Sequence, residues 1–341
     1  MPIHPGDVLA GYRVIQLLGR GGMGEIWSAA DANGRRQVAI KVLLPRAAHK
    51  PQLVRRFERE AQAVASIDSP YVCKLISCEK SESGAHLLVF EKLDGESLGQ
   101  RLKREQYLPF AEVGPIVDDV LQGLCAAHAA GVVHRDLKPA NVFLEWTRDP
   151  QRPERAKILD FGISKLTRPE EGGRREPTLT DLDATLGSFA YMAPEQVHGS
   201  ARADARADIY AVGALAFRAL AGRLPFEGTS AGMILALKVD RDAPSLADVT
   251  GDRWPAGLER FLGKALQRPR DARFASAREA LEAWRQIQPA ALSRRAPAAG
   301  QASLADEVST ETDVDEGSQT EVSGSRWDVQ VAAPPGGRGA Q

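Results

Sequence analysis

The hydrophobic pattern of this 341-residue chain changes once, at about Gly95. Between Tyr12 and Leu93, short apolar runs alternate with turn residues, and two of these runs are joined through Asn33-Gly34, which predicts a β-hairpin. One segment of this region, from about Pro51 to Ile67, has apolar residues at helical spacing instead. After Gly95 helical spacing dominates. We therefore predict an α+β fold with a small β-rich lobe at 12–93, which holds one helix, and a larger helical lobe at 94–288. The predicted helices of the second lobe are roughly Ser97–Arg104, Phe110–Ala130, Ala207–Ala221, Ala231–Leu237, Leu258–Leu266 and Ala275–Gln286.

Composition and charge exclude several classes of protein. Lys and Arg total 44 against 45 Asp and Glu, which gives a formal net charge of −1. A protein that coats nucleic acid usually has a basic surplus, so we expect no nucleic-acid partner. The cysteines, Cys73, Cys78 and Cys125, lack C-x-x-C spacing, which favours free thiols in a reducing compartment. Because neither a signal peptide nor an apolar run of about 20 residues is evident, we predict a cytoplasmic protein without membrane insertion.

The last part of the sequence, 289–341, is rich in Ala, Pro and Gly and has Trp327 as its only aromatic residue. It carries 4 Arg and 8 acidic residues, whereas the preceding part of the chain has a small basic surplus. Such a segment has too few apolar side chains to offset the entropy lost on folding, which predicts a disordered acidic tail. Two interpretations of the Ser and Thr residues among its acids stay open: a solvated tail, or a phosphorylated segment that docks a phosphothreonine-binding partner.

A glycine cluster follows the first predicted strand, with Gly19, Gly21 and Gly24 in G-x-G-x-x-G spacing. Dinucleotide-binding folds use the same spacing, but in those folds a helix starts directly at the glycines. Here Ile26 and Trp27 continue as a strand, so the glycines are predicted at the tip of a hairpin. Backbone N–H groups can approach phosphate oxygens at such a tip; a flexible turn without a ligand is the alternative.

A lysine interrupts a strand that is otherwise apolar. Lys41 follows the apolar residues Val38-Ala39-Ile40 in this strand. A buried ammonium is costly unless it is paired. Glu60, on the predicted helix of the first lobe, is the natural partner. The alternative is a lysine that reaches solvent from the strand end, together with a solvated glutamate.

Five motifs carry most of the functional information. They are the glycine cluster, the Lys41 strand, His134-Arg135-Asp136-Leu137-Lys138-Pro139-Ala140-Asn141, Asp160-Phe161-Gly162 and Ala193-Pro194-Glu195. In this order, and on these predicted elements, they resemble the catalytic core of the protein kinases, in particular the eukaryotic-like serine/threonine kinases of bacteria. The resemblance covers roughly 12–286. It implies the bilobal protein-kinase fold and the ATP-dependent transfer of phosphate to Ser and Thr hydroxyls of protein substrates in bacterial signal transduction.

The resemblance also assigns catalytic roles. Asp136 orients the substrate hydroxyl and accepts its proton, while Lys138 neutralises the γ-phosphate during transfer. Lys41, held by Glu60, contacts the α- and β-phosphates of ATP. These roles suit the residue types, because phosphoryl transfer depends mainly on positioning and on charge stabilisation.

A metal and a nucleotide site are implied as well. Asn141 and Asp160 supply oxygen ligands to Mg²⁺, with Mn²⁺ as an alternative, and the ion bridges the ATP phosphates. The residues implied to bind ATP are Leu18, Gly19, Gly21, Gly22, Gly24, Ile26, Ala39, Lys41, Phe90, Glu91, Leu93, Asn141, Phe143 and Asp160.

Other residues match family positions that support the site. Asp208 is implied to anchor the backbone of 134–136; an ordinary acidic residue at a helix start is the alternative. Arg273 is implied to pair with Glu195. The residues implied to form an internal hydrophobic column are Val64, His134 and Phe161.

The predicted activation segment, 160–195, contains candidate regulatory sites. Thr178, Thr180 and Thr185 are predicted acceptors of autophosphorylation, because Arg135 precedes Asp136 and a phosphate can order a loop against an arginine. Unmodified loop threonines are the alternative.

Two other functions compete with that of an active protein kinase. Lys138 and the segment around Ala193-Pro194-Glu195 argue against a kinase that acts on small molecules. A pseudokinase scaffold has no support, because every catalytic position is filled. Dimerisation through the small lobe is common in similar kinases, so a homodimer is an expectation from the resemblance that no residue specifies.

Overall fold

The computed structural model describes residues 3–20, 24–43, 51–81, 84–161, 189–198 and 203–287. Several predicted features lie outside these residues, namely Gly21, Gly22, Thr178, Thr180, Thr185 and the tail at 289–341. The backbone of Glu60 belongs to a described helix, but its side chain lies outside what the structure describes.

The first part of the chain forms an antiparallel sheet of six described strands in the order β1-β2-β3-β4-β6-β5. The predicted hairpin is confirmed between the third and fourth strands, where Gly34 has a φ of +67°, a conformation that glycine adopts without strain. The Asp31 carboxylate closes this turn by accepting the Arg35 N–H at 2.8 Å. The strands are β1 (Val8–Leu9), β2 (Tyr12–Arg20), β3 (Gly24–Ala30), β4 (Gln37–Leu43), β5 (Leu75–Lys80) and β6 (His86–Glu91).

One helix, α1 (Pro51–Ala65), packs against this sheet. Phe57 and Ala61, four residues apart and therefore on one helix face, are buried against Leu43 of β4 and Leu88 of β6. The helical spacing that predicted α1 is thus the spacing of its buried face.

The second part of the chain is mainly helical. Its core surrounds α4, in which Ile209, Val212 and Leu215 are fully buried, and α3 and α8 pack beside it. Gly213 of α4 lets α7 approach closely, because a Cβ there would lie 2.9 Å from the Cβ of Ala265. The helices are α2 (Leu98–Glu105), α3 (Phe110–Ala129), α4 (Ala205–Ala221), α5 (Ala231–Asp240), α6 (Leu246–Thr250), α7 (Ala256–Ala265) and α8 (Ala277–Arg285).

Two helical features of this part were not predicted from the hydrophobic pattern. Helix α5 continues to Asp240, beyond the predicted end at Leu237, so Lys238 lies inside the helix. Ser230 is the N-cap of this helix: its hydroxyl accepts the Met233 N–H and so satisfies a free donor of the first turn. The second feature is the short helix α6.

A small second sheet was also missed, and it positions the candidate site. The strands β7 (Gly95–Ser97), β8 (Val142–Trp146) and β9 (Glu154–Ile158) are antiparallel in the order β7-β8-β9. Because β8 and β9 form a hairpin, the residue before β8 and the residues after β9 meet, and the Leu159 N–H donates to the Asn141 carbonyl at 2.8 Å. Asn141 and Asp160 are thereby brought to the same place.

In the part of the chain that the structure describes, no helix combines the length and the apolar character that crossing a membrane requires.

Candidate active site

The loop that carries Asp136 is anchored by a buried carboxylate. Asp208, fully buried on α4, accepts the His134 N–H at 2.8 Å and the Arg135 N–H at 2.7 Å. Its Oδ2 also lies 2.8 Å from Nε2 of His128 on α3. Arg135 has a φ of +62°, which costs energy for a residue with a Cβ, so these contacts hold a strained loop in place. The anchor implied by the sequence is present.

Within this loop, Asp136 is held from three directions. Its N–H donates to Nδ1 of His134 at 3.2 Å, and its carbonyl oxygen accepts Nδ2 of Asn141 at 2.9 Å. Lys138 Nζ lies 3.4 Å from the Asp136 carboxylate. The structure therefore brings Asp136, Lys138 and Asn141 together in one loop.

A lysine and an aspartate connect the two sheets. Lys41 Nζ on β4 donates to Oδ1 of Asp160, which follows β9, at 3.0 Å. Both side chains are mostly buried, with exposed fractions of 14% and 22%. Asp160 has a φ of +41°, a second strained position in the site. Lys41, implied to contact the α- and β-phosphates, and Asp160, implied to bind the metal ion, are therefore in direct contact.

Asp160 is supported by the hydrophobic column that the sequence implied. Phe161 is 1% exposed, and its ring centroid lies 4.9 Å from that of His134. Val64 of α1 belongs to the same buried cluster, and Nε2 of His134 lies 2.9 Å from the Leu159 carbonyl oxygen. The column thus connects α1, the loop of Asp136 and the segment of Asp160.

Asn141 and Asp160 form a donor set that suits a hard divalent cation. Carboxylate and amide oxygens are the protein ligands that such ions prefer. Asn141 is 3% exposed, and because its Nδ2 is engaged by the Asp136 carbonyl, its Oδ1 is the atom available to a metal. The residues therefore fit a divalent metal.

The predicted nucleotide residues of the first sheet lie on neighbouring strands. In the strand register, Ile26 is paired with Lys41, and Ala39 is paired with Phe90. Because Ala39 and Lys41 are two residues apart on β4, their side chains share one face of the sheet. Leu18 and Gly19 lie on β2 and Gly24 starts β3, where a Cβ would overlap the Val42 carbonyl oxygen.

The remaining predicted nucleotide residues pack beside β8. Phe143 belongs to a buried cluster against which Phe90 and Leu93 pack. Cys73 lies in the same cluster, and burial raises the pKa of its thiol, so it is an apolar packing residue. The structure thus brings Phe143 together with the residues at the end of β6.

Glu91 takes part in a buried charge network that sequence analysis missed. Its Oε1 accepts the Lys74 N–H at 2.8 Å and Nζ of Lys157 at 2.7 Å. Lys157 is 5% exposed on β9 and also lies 3.4 Å from a carboxylate oxygen of Glu145 on β8. Because β9 also contains Glu154 and Arg155, the sequence gives no signal that Lys157 is the charged residue buried in this network.

The loop of Asp136 is also connected to the segment around Glu195. Nε2 of Gln196 donates to the Arg135 carbonyl at 3.0 Å, and its Oε1 accepts the Ala193 N–H at 2.9 Å. Glu195 forms two hydrogen bonds with the guanidinium of Arg273, at 2.8 Å and 2.7 Å, as the sequence implied. Gln196 was not singled out in the sequence, because its partners are backbone groups.

Comparison with known proteins agrees with this geometry. A family model described as the protein kinase domain matches residues 12–284. The serine/threonine-protein kinase pkn3 of Myxococcus xanthus is 37% identical over 267 residues, which are 78% of this chain and 48% of that protein. The serine/threonine-protein kinase pkn2 of the same organism is 37% identical over 248 residues, 70% of this chain and 29% of that protein.

A solved structure is similar as well. The crystal structure of the Mycobacterium tuberculosis PknI kinase domain has a TM-score of 0.62 and 28% sequence identity, and covers 83% of this chain and 99% of that one. The chain therefore belongs to the protein kinase domain family, and the predicted fold class and the resemblance to eukaryotic-like bacterial serine/threonine kinases are confirmed. Members of this family use ATP and a divalent metal ion. The chain spans less than half the length of the two curated relatives, 48% and 29%.

Proposed function

We propose that this chain is an ATP-dependent serine/threonine protein kinase that phosphorylates protein substrates in bacterial signal transduction. The observation that carries the proposal is the position of four polar side chains at the junction of the two sheets. Lys41 and Asp160 are joined across the two sheets at 3.0 Å, while the Asp136 loop is attached to Asn141 in the same place. This arrangement combines a cation for phosphate, a metal-binding pair and a carboxylate base, the three requirements of phosphoryl transfer.

Each residue has a role in this proposal. Lys41, with Glu60 as a further partner, binds the α- and β-phosphates and aligns them. Asp136 accepts the proton of the substrate hydroxyl, and Lys138, 3.4 Å from its carboxylate, is placed to neutralise charge on the γ-phosphate. The buried loop contacts of Asp136 favour a fixed base, which reduces the reorganisation needed during transfer.

Asn141 and Asp160 would hold Mg²⁺, or Mn²⁺ in its place, and the ion would supply positive charge to the ATP phosphates. The nucleotide would lie between Ile26 and Ala39 of the first sheet and Phe143 of β8. The apolar character of these side chains, and the burial of Phe143, support an adenine site there.

The proposal is tested by following phosphate from γ-labelled ATP into the chain itself and into an added protein. Asp136→Asn should reduce turnover by at least about 10²-fold, because a positioned base contributes roughly 10²–10⁴-fold, while nucleotide binding is retained. Asp149→Asn, a change of an exposed aspartate in the loop between β8 and β9, is the matched control and should retain full turnover. Lys41→Ala serves as a second inactive variant.

Two results would contradict the proposal. Ordinary turnover by Asp136→Asn would remove the role of the base. Transfer of label to small molecules alone, with none to protein, would reassign the chain to the kinases of small molecules.

Regulation by phosphorylation is part of the same proposal. The guanidinium of Arg135 is partly buried, and its Nε has no hydrogen-bond partner among the described residues. Burial lowers the pKa of Arg135, so an added phosphate would stabilise its charged form. This supports autophosphorylation at Thr178, Thr180 or Thr185, and mass spectrometry that finds active enzyme unmodified at all three would contradict it. A cytoplasmic location, a homodimer and a phosphothreonine-binding partner of the tail stay predictions.

A further inference from the structure

Helix α5 contains a lysine that is buried almost completely. Lys238 is 1% exposed, although lysine is rarely buried without a partner. Its Nζ donates to the main-chain carbonyl oxygens of Phe189 at 3.0 Å, Ala190 at 2.6 Å and Met192 at 2.8 Å. An ammonium has three N–H donors, so the three carbonyls satisfy it completely.

No carboxylate takes part in this contact. Among the described residues, no Asp or Glu lies within ion-pair distance of Lys238, and the ring of Tyr210 on α4 is 5.2 Å from its Nζ. Burial lowers the pKa of Lys238 to about 7, while the carbonyl oxygens favour its protonated form. Among the described residues, the charge of this ammonium is therefore balanced by backbone dipoles and by the Tyr210 ring, and not by a carboxylate.

The three carbonyls belong to a segment that leads directly to the loop of Asp136. Residues 189–192 precede Ala193, whose N–H is accepted by Gln196, and Gln196 donates in turn to the carbonyl of Arg135. Lys238 thus holds three of the four residues of this segment, and Gln196 attaches the residue that follows it to the loop of the proposed catalytic base. The proposed nucleotide residues lie elsewhere, on β2 to β4, at the end of β6 and beside β8.

We propose that Lys238 is a positioning residue for the protein substrate: its ammonium fixes the backbone of 189–192 as the surface on which the substrate lies while its hydroxyl reaches Asp136. The inference rests on the proposed kinase function. A peptide must be held in register with the base to react, and errors of about 1 Å reduce turnover strongly. Removing the ammonium frees three carbonyl acceptors and loosens this surface, while the site for ATP keeps its contacts.

The test compares Lys238→Met with the wild-type full chain, using casein as the phosphate acceptor. Methionine keeps the apolar stem but donates no hydrogen bonds. We expect KM for casein to rise by at least about tenfold while KM for ATP changes by less than about twofold, a split that marks lost substrate positioning. Lys238→Arg, which keeps the cation, should recover part of the loss. Lys264→Met, on the exposed face of α7, is the matched control and should change neither constant.

The outcomes separate this inference from the proposed function. If wild type fails to phosphorylate casein or itself, the proposed function fails. If wild type is active and Lys238→Met changes both KM values equally, or neither, the positioning role is wrong. Stabilisation by ATP in a thermal unfolding assay shows that the variant is folded.

A second measurement decides the matter if Lys238→Met does not fold. The titratable groups around the contact are Tyr191 in the segment, Tyr210 on α4, and Arg273 with Glu195 beyond the Tyr210 ring. Burial raises the pKa of both tyrosines, that of Tyr191 to about 12, so neither changes charge near neutrality. In wild type, KM for casein should therefore rise as the pH increases through the range above 7, while KM for ATP does not follow. A flat KM for casein from pH 6 to 9 would overturn the proposal.

Discussion

Two buried cations contact the same tyrosine ring but are stabilised in different ways. The guanidinium carbon of Arg273 lies 4.9 Å from the Tyr210 ring centroid, and Nζ of Lys238 lies 5.2 Å from it. Arg273 forms two hydrogen bonds with the Glu195 carboxylate and donates further to the carbonyl oxygens of Gln267, Arg206 and Arg268. Among the described residues, the hydrogen-bond acceptors of Lys238 are three main-chain carbonyl oxygens and no carboxylate.

The two sets of partners give the two buried cations different responses to pH. Arg273 has a carboxylate counter-ion, and a guanidinium stays charged under all ordinary conditions. Through Glu195 it connects the 3₁₀ helix Pro194–His198 to the segment before α8. Lys238 has no counter-ion among the described residues, so its contact depends on its protonation state. One cation is a constant structural pair, and the other can respond to pH.

The largest effect is expected from breaking the ion pair. Arg273→Met leaves the Glu195 carboxylate without its partner, and breaking a buried pair costs about 3–5 kcal/mol of the free energy of unfolding. Urea denaturation of the full chain measures this loss. Arg260→Met removes an exposed arginine from α7 and should change the free energy by less than about 0.5 kcal/mol. Equal effects of the two variants would show that the Arg273 pair contributes nothing.

A smaller effect is expected from Glu195→Gln, which makes the two cation sites more alike. The amide keeps the size of the side chain and one acceptor oxygen, while Arg273 keeps its three carbonyl acceptors. We expect a loss of about 1.5–3 kcal/mol, the contribution of hydrogen bonds to charged groups. Urea denaturation again measures it. If the loss equals that of Arg273→Met, carbonyls alone do not stabilise a buried cation here, and the comparison with Lys238 fails.

The same contrast explains what could be predicted from the sequence. Asp136, Asn141 and Asp160 could be singled out because they stand in motifs that resemble those of the protein kinases, and such motifs are readable from the sequence alone. The pair of Arg273 and Glu195 was predictable because both partners are side chains at family positions. Lys238 was not, because its partners are main-chain carbonyls, which every residue has and which leave no pattern.

The hydrophobic pattern also concealed the helix around Lys238. The apolar run ends near Leu237, and Asp240, Arg241 and Asp242 follow Val239, which is typical of a solvated helix end. The strands β7 to β9 were missed for a related reason. They are three to five residues long and interrupted by charged residues such as Glu96 and Lys157, which are buried in networks rather than exposed. In both places tertiary partners, and not local propensity, decide the structure.

The smallest effect is a dependence of stability on pH that only one of the two cations should show. The pKa of Lys238 is lowered from 10.5 in the unfolded chain to about 7 in the folded one. Between these values the unfolded chain binds more protons, so the free energy of unfolding should rise with pH, and below about 7 it should be constant. We expect the difference in unfolding free energy between wild type and Lys238→Met to grow by about 1 kcal/mol or more from pH 7 to pH 9. The corresponding difference for Arg273→Met should stay constant, because arginine remains protonated in both states. If neither difference in unfolding free energy changes with pH, Lys238 stays protonated in the folded chain over this range, as Arg273 does.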